Sequence, residues 1–346
     1  MATAKSSGIS VPLKAGSLTN FALRDANGDG ADVAAQYDTP DGKILGTIFL
    51  YAPTYPDPGL TFLATDESIR RRFGSTAQKI EDELVPVSGV PNAGRKVVYT
   101  GIADRKLSGD PDGRIYSAAA FVRAGPWMVK VRVSGPISRS AEIGQNLDSL
   151  LSGLQLGDKV RPLPQARIEV SECTATAERP QIRILHPQSG EALGLMIALD
   201  PVVQDEKGVA TSNPIASQIG GLCREAVEVR DDIALQTFRV TSASPGQFQP
   251  RRVMLYGDAG IMLLAFEHSE NPGQYFLSRH SIGRSFLFGR TTAMPSEAEL
   301  KSLLFNPDKQ PAVISMTTSH PARATTITVN CSLTSEGCEK EATSSK

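Results

Sequence analysis

The sequence contains no long apolar run. Its longest uninterrupted apolar stretches are LMIAL at 195–199 and IMLLAF at 261–266, far short of the ~20 residues that a helix needs to cross a bilayer. We therefore expect no transmembrane helix. The N-terminal residues MATAKSSGISVPLKAG also lack the apolar core of a signal peptide. This pattern fits either a cytosolic protein or a mature form in which a start methionine has replaced the leader.

An excess of charge of one sign is absent too. The chain has 346 residues, a formal net charge of -1 and 40% hydrophobic residues. Such a composition gives no sign of a nucleic-acid-binding surface or of a disordered chain. The length is sufficient for two ordinary domains, each with a core of its own.

Signatures of catalysis are missing as well. The chain has no G-x-S-x-G nucleophile elbow, no H-E-x-x-H zinc motif, no P-loop and no G-x-G-x-x-G. Of its four histidines, His268 ends a predicted strand and His280 lies on the helix predicted to follow. If that helix folds back, the two side chains approach each other and could serve a hydrolase together with a carboxylate. The competing interpretation, that they are capping or solvated groups, is favoured.

No cysteine lies among the first 172 residues of the chain. Cys173, Cys223, Cys331 and Cys338 allow one or two disulfides in an oxidising compartment, and the sequence does not choose among the pairings. Zinc binding is the alternative, but no C-x-x-C pair is present, which disfavours it. We predict no metal and no cofactor.

The most motif-like stretch is DANGDG, which begins at Asp25. Asp25, Asn27, Asp29 and Gly30 match the opening of an EF-hand calcium loop. The twelfth position of that loop, however, is Gln36 instead of a bidentate glutamate, and the flanking residues alternate as in strands. Asn-Gly and Asp-Gly dipeptides between two such runs predict a β-hairpin whose glycines adopt positive φ. We therefore predict a turn, with calcium binding as the disfavoured alternative.

Alternating apolar residues predict further strands in the first half. A hairpin is expected around Ala124-Gly125-Pro126, and the lone tryptophan after it, Trp127, is assigned to the core. The stretch IGQNLDSLLSGL repeats its apolar residues with helical spacing. This amphipathic helix is expected to seal the apolar face of the sheet.

The stretch ATDESIRRRFG predicts a shorter helix. Thr65 is its expected cap, and Gly74 ends it. Its acids precede its arginines with i,i+4 spacing, so a solvated face with pairs Asp66–Arg70 and Glu67–Arg71 is favoured over an anion or headgroup site.

The residues GDKVRPLPQ at 157–165 are short, polar and broken by prolines, as expected of a linker. Beyond them we predict a strand at ARIEVSEC, a helix at NPIASQIGGLC, strands at EAVEVR and IALQTFRV, a hairpin at RRVMLYGDAGIMLLAFEH turning at Ala259-Gly260, and a helix at GQYFLSRHSIGRSFLF. After residue 290 only a helical patch at EAELKSLLF and a strand at TTITVNC are expected before a disordered end.

The two halves share one predicted order of strands, helix, hairpin and closing helix. This order predicts an α+β protein of two similar domains, each an antiparallel sheet packed against helices. The expected boundaries are 1–158 for the first domain, 165–290 for a second that repeats it, and 291–346 for an extension with a flexible tail.

The opening meander, the helix ATDESIRRRFG, the strands around FVRAGPWMVKVRV and the helix IGQNLDSLLSGL resemble, in their order, the PsbP-like (DcrB-type) domain. The resemblance covers about residues 10–157 and, more loosely, 165–290. It is one of topology and carries no functional residue. It implies an antiparallel sheet flanked by helices, and a small extracytoplasmic, non-enzymatic accessory or assembly module.

Together these features predict a non-catalytic binding or assembly protein that is periplasmic or secreted, with a cytoplasmic location as the alternative. Its expected partner is a protein or a small molecule, not a nucleic acid. A hydrolase using His268 or His280 with a carboxylate is the alternative function.

Overall fold

The computed structural model describes residues 1–26, 28–52, 57–73, 76–104, 113–157, 160–165, 167–174, 184–185, 218–230, 233–245, 248–257, 261–269, 272–282, 284–306, 314–318 and 325–329. Its helices are α1 (Pro58–Phe73), α2 (Ser140–Ser152) and α3 (Glu297–Phe305). Its strands, in chain order, are β1 (Ala2–Thr3), β2 (Ser10–Val11), β3 (Lys14–Ala15), β4 (Leu18–Asp25), β5 (Asp32–Asp38), β6 (Leu45–Tyr51), β7 (Gln78–Val87), β8 (Val90–Ala103), β9 (Arg114–Ala124), β10 (Trp127–Pro136), β11 (Glu169–Glu172), β12 (Ile184–Leu185), β13 (Ile219–Arg230), β14 (Ile233–Ala243), β15 (Phe248–Tyr256), β16 (Ile261–His268), β17 (Tyr275–Ser281), β18 (Arg284–Thr291), β19 (Ile314–Thr318) and β20 (Thr325–Val329).

The first large sheet has eight antiparallel strands in the order β3-β4-β5-β6-β10-β9-β8-β7. Its hairpins are those that the turn residues predicted. β4 pairs with β5 across DANGDG, and β9 pairs with β10 so that Ala124 lies opposite Trp127. Both hairpin predictions are confirmed, and Trp127 is buried in the core as expected.

The second large sheet has ten strands in the order β11-β13-β14-β15-β16-β17-β18-β19-β20, with β12 pairing alongside β18. Its pairs are antiparallel except for β11 and β13, which run parallel. The predicted hairpin of β15 and β16 is confirmed, while its expected turn at Ala259-Gly260 lies outside the described residues. The predicted helical patch EAELKSLLF and the strand at TTITVNC are confirmed as α3 and β20.

The helices and the two sheets alternate as layers. One face of the first sheet packs on α2, through a core that contains Trp127 and the helix residues Ile143, Leu147 and Leu150. The opposite face packs on α1, which also contacts β14 and β15 of the second sheet. The far face of the second sheet packs on α3. The order of layers is therefore α2, first sheet, α1, second sheet, α3.

A single hydrophobic core joins the two sheets through α1. Its helix members are Leu60, Phe62, Leu63 and Ala64. The core draws on both sheets, with Val97, Tyr99, Ile102, Ile115, Ala119 and Phe121 from the first and Ile219, Leu222, Phe238, Phe248, Val253, Leu255, Met262, Leu264, Phe266, Phe276 and Leu287 from the second. A hydrogen bond reinforces the contact, because Gln236 Nε2 of β14 donates to the carbonyl of Leu63 at 3.1 Å.

The prediction of an α+β fold with two similar domains is wrong. Strands make up 58% of the structure and helices 18%, and the described residues from Ile219 to Thr291 form only strands and their connections. The helix predicted at GQYFLSRHSIGRSFLF is the hairpin β17–β18, and the helix predicted at NPIASQIGGLC contains the start of β13.

The physical reason for the error is that both faces of the second sheet are covered. In β17, Phe276 belongs to the core against α1 and the next residue, Leu277, to the core against α3. A strand buried on both faces has adjacent apolar residues instead of alternating ones, and a short run of this kind does not differ in pattern from a buried helix.

The start of α1 was also predicted wrongly. The helix begins at Pro58, well before Thr65. Asp57 caps it, because its Oδ1 accepts the backbone N–H of Leu60 at 2.8 Å. Proline suits the first helical position, where its missing N–H has no helical acceptor.

The two ion pairs predicted on α1 are confirmed. Asp66 pairs with Arg70 at 3.0 Å and Glu67 with Arg71 at 2.9 Å. The expected solvated face is wrong for the two acids, which are only 3% and 8% exposed. Asp66 also accepts a hydrogen bond from the Tyr99 hydroxyl of β8, because the helix lies between two sheets.

The segment 157–165, predicted as a linker, is attached to the first sheet where it is described. The N–H of Gly125 donates to the carbonyl of Arg161 at 3.1 Å, and Gln165 Nε2 donates to the carbonyl of Ala93 at 2.7 Å. The two large sheets lie on either side of this segment in sequence. The proposed domain boundaries stay a prediction, as does the PsbP-like resemblance.

A substitution at Phe62 tests whether the core is shared. Its ring meets Phe121 edge to face with centroids 5.8 Å apart. We expect Phe62→Ala to lower the free energy of unfolding by about 3–5 kcal/mol, in one transition that includes both sheets. Trp127 fluorescence reports the unfolding of the first sheet, and amide hydrogen exchange in β16 and β17 reports the unfolding of the second. Ile80→Ala, at a 52% exposed position of β7, serves as the control and should cost less than about 0.5 kcal/mol. A loss of protection confined to the first sheet would contradict the shared core.

The cap of α1 supplies a pH-dependent test. Burial raises the pKa of the Asp57 carboxyl more than the Leu60 hydrogen bond and the charge of Arg123 lower it. The native state therefore holds this proton more tightly than the unfolded chain, and stability falls as the pH rises above about 3.9, the pKa of an unfolded Asp. Asp57→Asn keeps the capping oxygen without the charge, so we expect a higher urea midpoint than wild type at pH 7 and none of this difference below pH 4. Asp57→Ala, which removes the cap, should cost about 1 kcal/mol. Equal midpoints for Asp57→Asn and wild type at pH 7 would contradict this account.

Candidate functional site

The structure does not bring the two candidate catalytic histidines together. His268 ends β16, whereas His280 lies on strand β17 and not on the predicted helix. His280 is opposite Met262, six residues before His268 along β16, which corresponds to about 20 Å at the rise of an extended strand. The expectation that these two side chains approach each other is wrong, whereas the alternative of a hydrolase that uses either histidine with a carboxylate stays a prediction.

His280 is enclosed in a polar cluster of β17 and β18. Its Nδ1 lies 2.8 Å from Ser285 Oγ and its Nε2 lies 2.9 Å from Ser278 Oγ. Burial, aided by the positive charge of Arg279, lowers the pKa of His280 to about 3. The imidazole is therefore neutral at physiological pH and exchanges hydrogen bonds with two hydroxyls, which explains how a histidine can occupy the interior.

The DANGDG turn uses its carboxylates internally. The two oxygens of Asp25 accept the backbone N–H groups of Gly28 at 2.9 Å and Gly30 at 2.8 Å, and Asp29 accepts the N–H of Ala31 at 2.8 Å. Gly28 and Gly30 have the positive φ values that the turn predicted, both 75°. Asn27 lies outside the described residues. In the part of the chain that the structure describes, no group of three or more His, Cys, Asp or Glu residues could hold a metal ion.

Two of the four cysteines are joined. Cys173, just after β11, forms a disulfide with Cys223 of β13, so one of the pairings that the sequence left open is present. Cys331 and Cys338 lie outside the described residues. The disulfide reinforces the parallel pairing of β11 with β13 at an edge of the second sheet.

A concave site lies on the face of the first sheet that also packs on α1. Eight strands spaced about 4.8 Å apart span roughly 34 Å, but a helix with its side chains is only about 10 Å across. Accordingly α1 packs on β8 and β9. Next to it, β4, β5, β6 and β10 form a cleft of about 470 Å³, lined by Arg24, Asp25, Ala26, Asp32, Ala34, Phe49, Tyr51 and Lys130.

Strand alternation explains which side chains reach the cleft. On β6, Ile48 and Leu50 point into the core with α2, so Phe49 and Tyr51 point the other way. On β10, Val129 and Val131 face that core and Lys130 therefore faces the cleft. The aromatic residues thus provide an apolar floor on paired strands.

A row of side chains crosses the cleft from strand to strand. The register of the sheet places Arg24, Ala34, Phe49, Lys130 and Phe121 next to one another. The Lys130 ammonium lies 5.6 Å from the ring centroid of Phe49 and 5.9 Å from that of Phe121. Because Phe121 also contacts Phe62 of α1, the row ends beneath the helix.

The remaining charges of the cleft lie at its rim. Asp25 directs its carboxylate oxygens to the turn, as described above. Asp32 is two residues from Ala34, the cross-strand partner of Arg24, so Asp32 and Arg24 are diagonal neighbours about 7–8 Å apart. Lys130 lies on the other side of Phe49 from Ala34.

Sequence reasoning missed this cleft. The signal available was the alternation after Trp127, which places Lys130 on the face of β10 opposite the buried valines. Placing Lys130 in one row with Phe49 and Arg24 requires the register of four paired strands. Alternation within a single strand does not give that register.

Comparisons with known proteins add no family. Neither a comparison with protein-family models nor one with curated protein sequences gives a match for this chain. As the sequence predicted, no helix among the described residues is long and apolar enough to cross a membrane.

The enclosed histidine predicts a loss of stability in acid. An unfolded histidine takes up a proton near pH 6.5, but the fold resists protonation of His280 down to about pH 3. The free energy of unfolding should therefore fall by about 1.4 kcal/mol per pH unit between roughly pH 6 and pH 4. Urea unfolding over this range measures it. His280→Gln should flatten the slope, whereas His268→Gln, at a partly exposed position, should retain it. Equal slopes for all three proteins would contradict this role of His280.

Proposed function

We propose that the protein is a non-catalytic binding protein, and that the cleft on the α1 face of the first sheet holds a small molecule with a flat apolar part. The observation that supports this proposal is the cleft itself. Its volume of about 470 Å³ lies within the range of about 300–1,000 Å³ that is usual for ligand sites. The partly exposed Phe49 offers an aromatic surface to such a ligand, and the nearly buried Tyr51 lines the cleft beside it.

The strands that form the floor of the cleft are paired continuously, which favours a site that is formed before the ligand binds. β5 and β6 pair without interruption from Asp32–Tyr51 to Asp38–Leu45, and β6 pairs in the same way with β10. Side chains on continuously paired strands are held in place before a ligand arrives, so little ordering entropy is lost on binding.

The disulfide supports a location outside the cytoplasm. Reducing conditions in the cytosol keep most thiols free, whereas disulfides persist in the periplasm and in secreted proteins. The bond between Cys173 and Cys223 is thus consistent with a periplasmic or secreted binding protein. The location stays a proposal.

A neutral fluorescent probe, N-phenyl-1-naphthylamine, tests the cleft. We expect saturable binding to the full chain, weakened at least about fivefold by Phe49→Ala, which removes about 1 kcal/mol of aromatic contact. Ala34→Trp, which fills the cleft, should abolish binding. Circular dichroism checks that each variant folds.

Phe21→Ala is the matched control, because Phe21 is 57% exposed on β4 and does not line the cleft. This variant should bind the probe like wild type. Absence of saturable binding, or an equal loss in Phe21→Ala and Phe49→Ala, would overturn the proposed function.

A further inference from the structure

We infer that the protein forms a dimer through β4, which pairs antiparallel with β4 of a second copy around a twofold axis at Leu23. The first sheets of the two copies then join edge to edge into one continuous sheet. This contact is a property of the sheet edge and does not depend on the ligand proposed for the cleft.

The first sheet has an open edge along β4. Among the described residues β3 is the last strand of the sheet, and it pairs with β4 only at Leu18 and Thr19. No described strand pairs with the outer side of β4 from Phe21 to Asp25. A strand edge of this kind offers a row of backbone N–H and C=O groups to which another strand can pair.

The backbone groups of Leu23 point to this open side. The N–H of Ala26 donates to the carbonyl of Asp32 at 2.8 Å, and these two residues continue the register of β4 with β5. Alternate residues of an antiparallel strand bond to the same neighbour, so Ala22 and Arg24 bond to β5 as Ala26 does. Leu23, which lies between them, directs its N–H and C=O away from β5.

The side chains of this edge are apolar and exposed. Phe21 and Leu23 are 57% and 50% exposed, and Leu13, just before β3, is also 50% exposed. The other edges whose side chains the structure describes carry more charge: β7 has three successive acids at 81–83 and a proline, and β11 has a glutamate at each end. Charges and prolines discourage pairing with another chain, and β4 has charges only beside the turn, at Arg24 and Asp25.

A bulge limits the stretch of β4 that can pair. Phe21 is the extra residue at the register shift between Asn20 and Ala22. The Asn20 amide fills the bulge by donating to the carbonyls of Ala22 at 3.2 Å and Gln36 at 3.0 Å. From there to the turn the register has no further shift. The regular part of the open edge is therefore short, with Leu23 near its middle.

A second copy fits this edge because the stretch is complementary to itself. In a twofold antiparallel pair, the residue on the axis lies opposite its own equivalent. With Leu23 on the axis, Ala22 of one copy lies opposite Arg24 of the other, and Phe21 lies opposite Asp25. No like charges then lie opposite each other, and the two Leu23 residues exchange both of their outward hydrogen bonds.

Neighbouring positions of the axis are less favourable. An axis at Arg24 places two guanidinium groups directly opposite each other, which destabilises a strand pair. An axis at Ala22 places Asp25 of the second copy opposite Thr19, where β3 already pairs with β4. The sequence and the length of the open edge thus select Leu23.

The pairing also extends the core that lies beneath α2. Leu23 is opposite Ala35 of β5, and Ala35 belongs to that core. The Leu23 side chain is therefore on the core face of the sheet, but at its exposed margin. In the dimer the two Leu23 side chains meet at the axis, and the apolar surface that they bury favours association.

Sedimentation velocity of the full chain tests the contact. The open edge is short and the interface small, so we expect a weak monomer–dimer equilibrium with a micromolar dissociation constant. Leu23→Lys and Leu23→Glu each place like charges opposite each other at the axis, and each should weaken dimerisation at least about tenfold. An equimolar mixture of the two variants places Lys opposite Glu and should dimerise about tenfold more tightly than either variant alone at low salt.

Ile80→Lys is the matched control, because it makes the same change at a 52% exposed residue of β7, on the opposite edge of the sheet. It should dimerise like wild type, and urea unfolding checks that every variant keeps its fold. Wild type that stays monomeric up to about 100 µM would overturn the inference and leave β4 to an extended segment of another protein. A dimer that both Leu23 variants preserve, or a mixture that binds no more tightly than the single variants, would overturn it as well, because either result places the contact elsewhere.

Discussion

The packing of α1 between two sheets is the contact on which the rest of the structure depends. Neighbouring residues of this helix, Phe62 and Leu63, belong to one core that includes Phe121 from the first sheet and Phe238 from the second. A helix buried on more than one side needs apolar residues around most of its circumference. Since burying a large apolar side chain contributes about 1.5–3 kcal/mol, the stabilities of the two sheets are coupled through this helix.

The position of α1 also determines which polar groups are buried. Three acidic side chains are nearly inaccessible to solvent: Asp57, which caps the helix, and Asp66 and Glu67, which lie in its middle. Each has a partner that reduces the cost of burial: the Leu60 amide for Asp57, the Tyr99 hydroxyl and Arg70 for Asp66, and Arg71 for Glu67. Buried polar groups are tolerated only with such partners, so these contacts specify the orientation of the helix as well as its stability.

The cleft is a consequence of the same packing. One helix covers about two strands of a wide sheet. The strands beside β8 and β9 present the same face to the cleft. In the first sheet that face combines aromatic and basic side chains, with Phe49 and Phe121 on either side of Lys130. Strands β4, β5, β6 and β10 line the site, and its aromatic and basic character comes from alternate residues of β6 and β10.

The sequence by itself determined the local features. Gly28 and Gly30 fixed the first hairpin because a turn of this kind needs positive φ, Trp127 and the alternating valines after it marked a buried face, and the apolar spacing of α2 identified a helix lying on that face. The tertiary structure alone decided that α1 is enclosed on two sides, that β17 and β18 are strands buried on both faces, and that Lys130 belongs with Phe49. These features depend on contacts such as that of Gln236 with the Leu63 carbonyl, between residues far apart in the chain. Local preference and periodicity describe a segment and its neighbours, and they do not specify what will cover its second face.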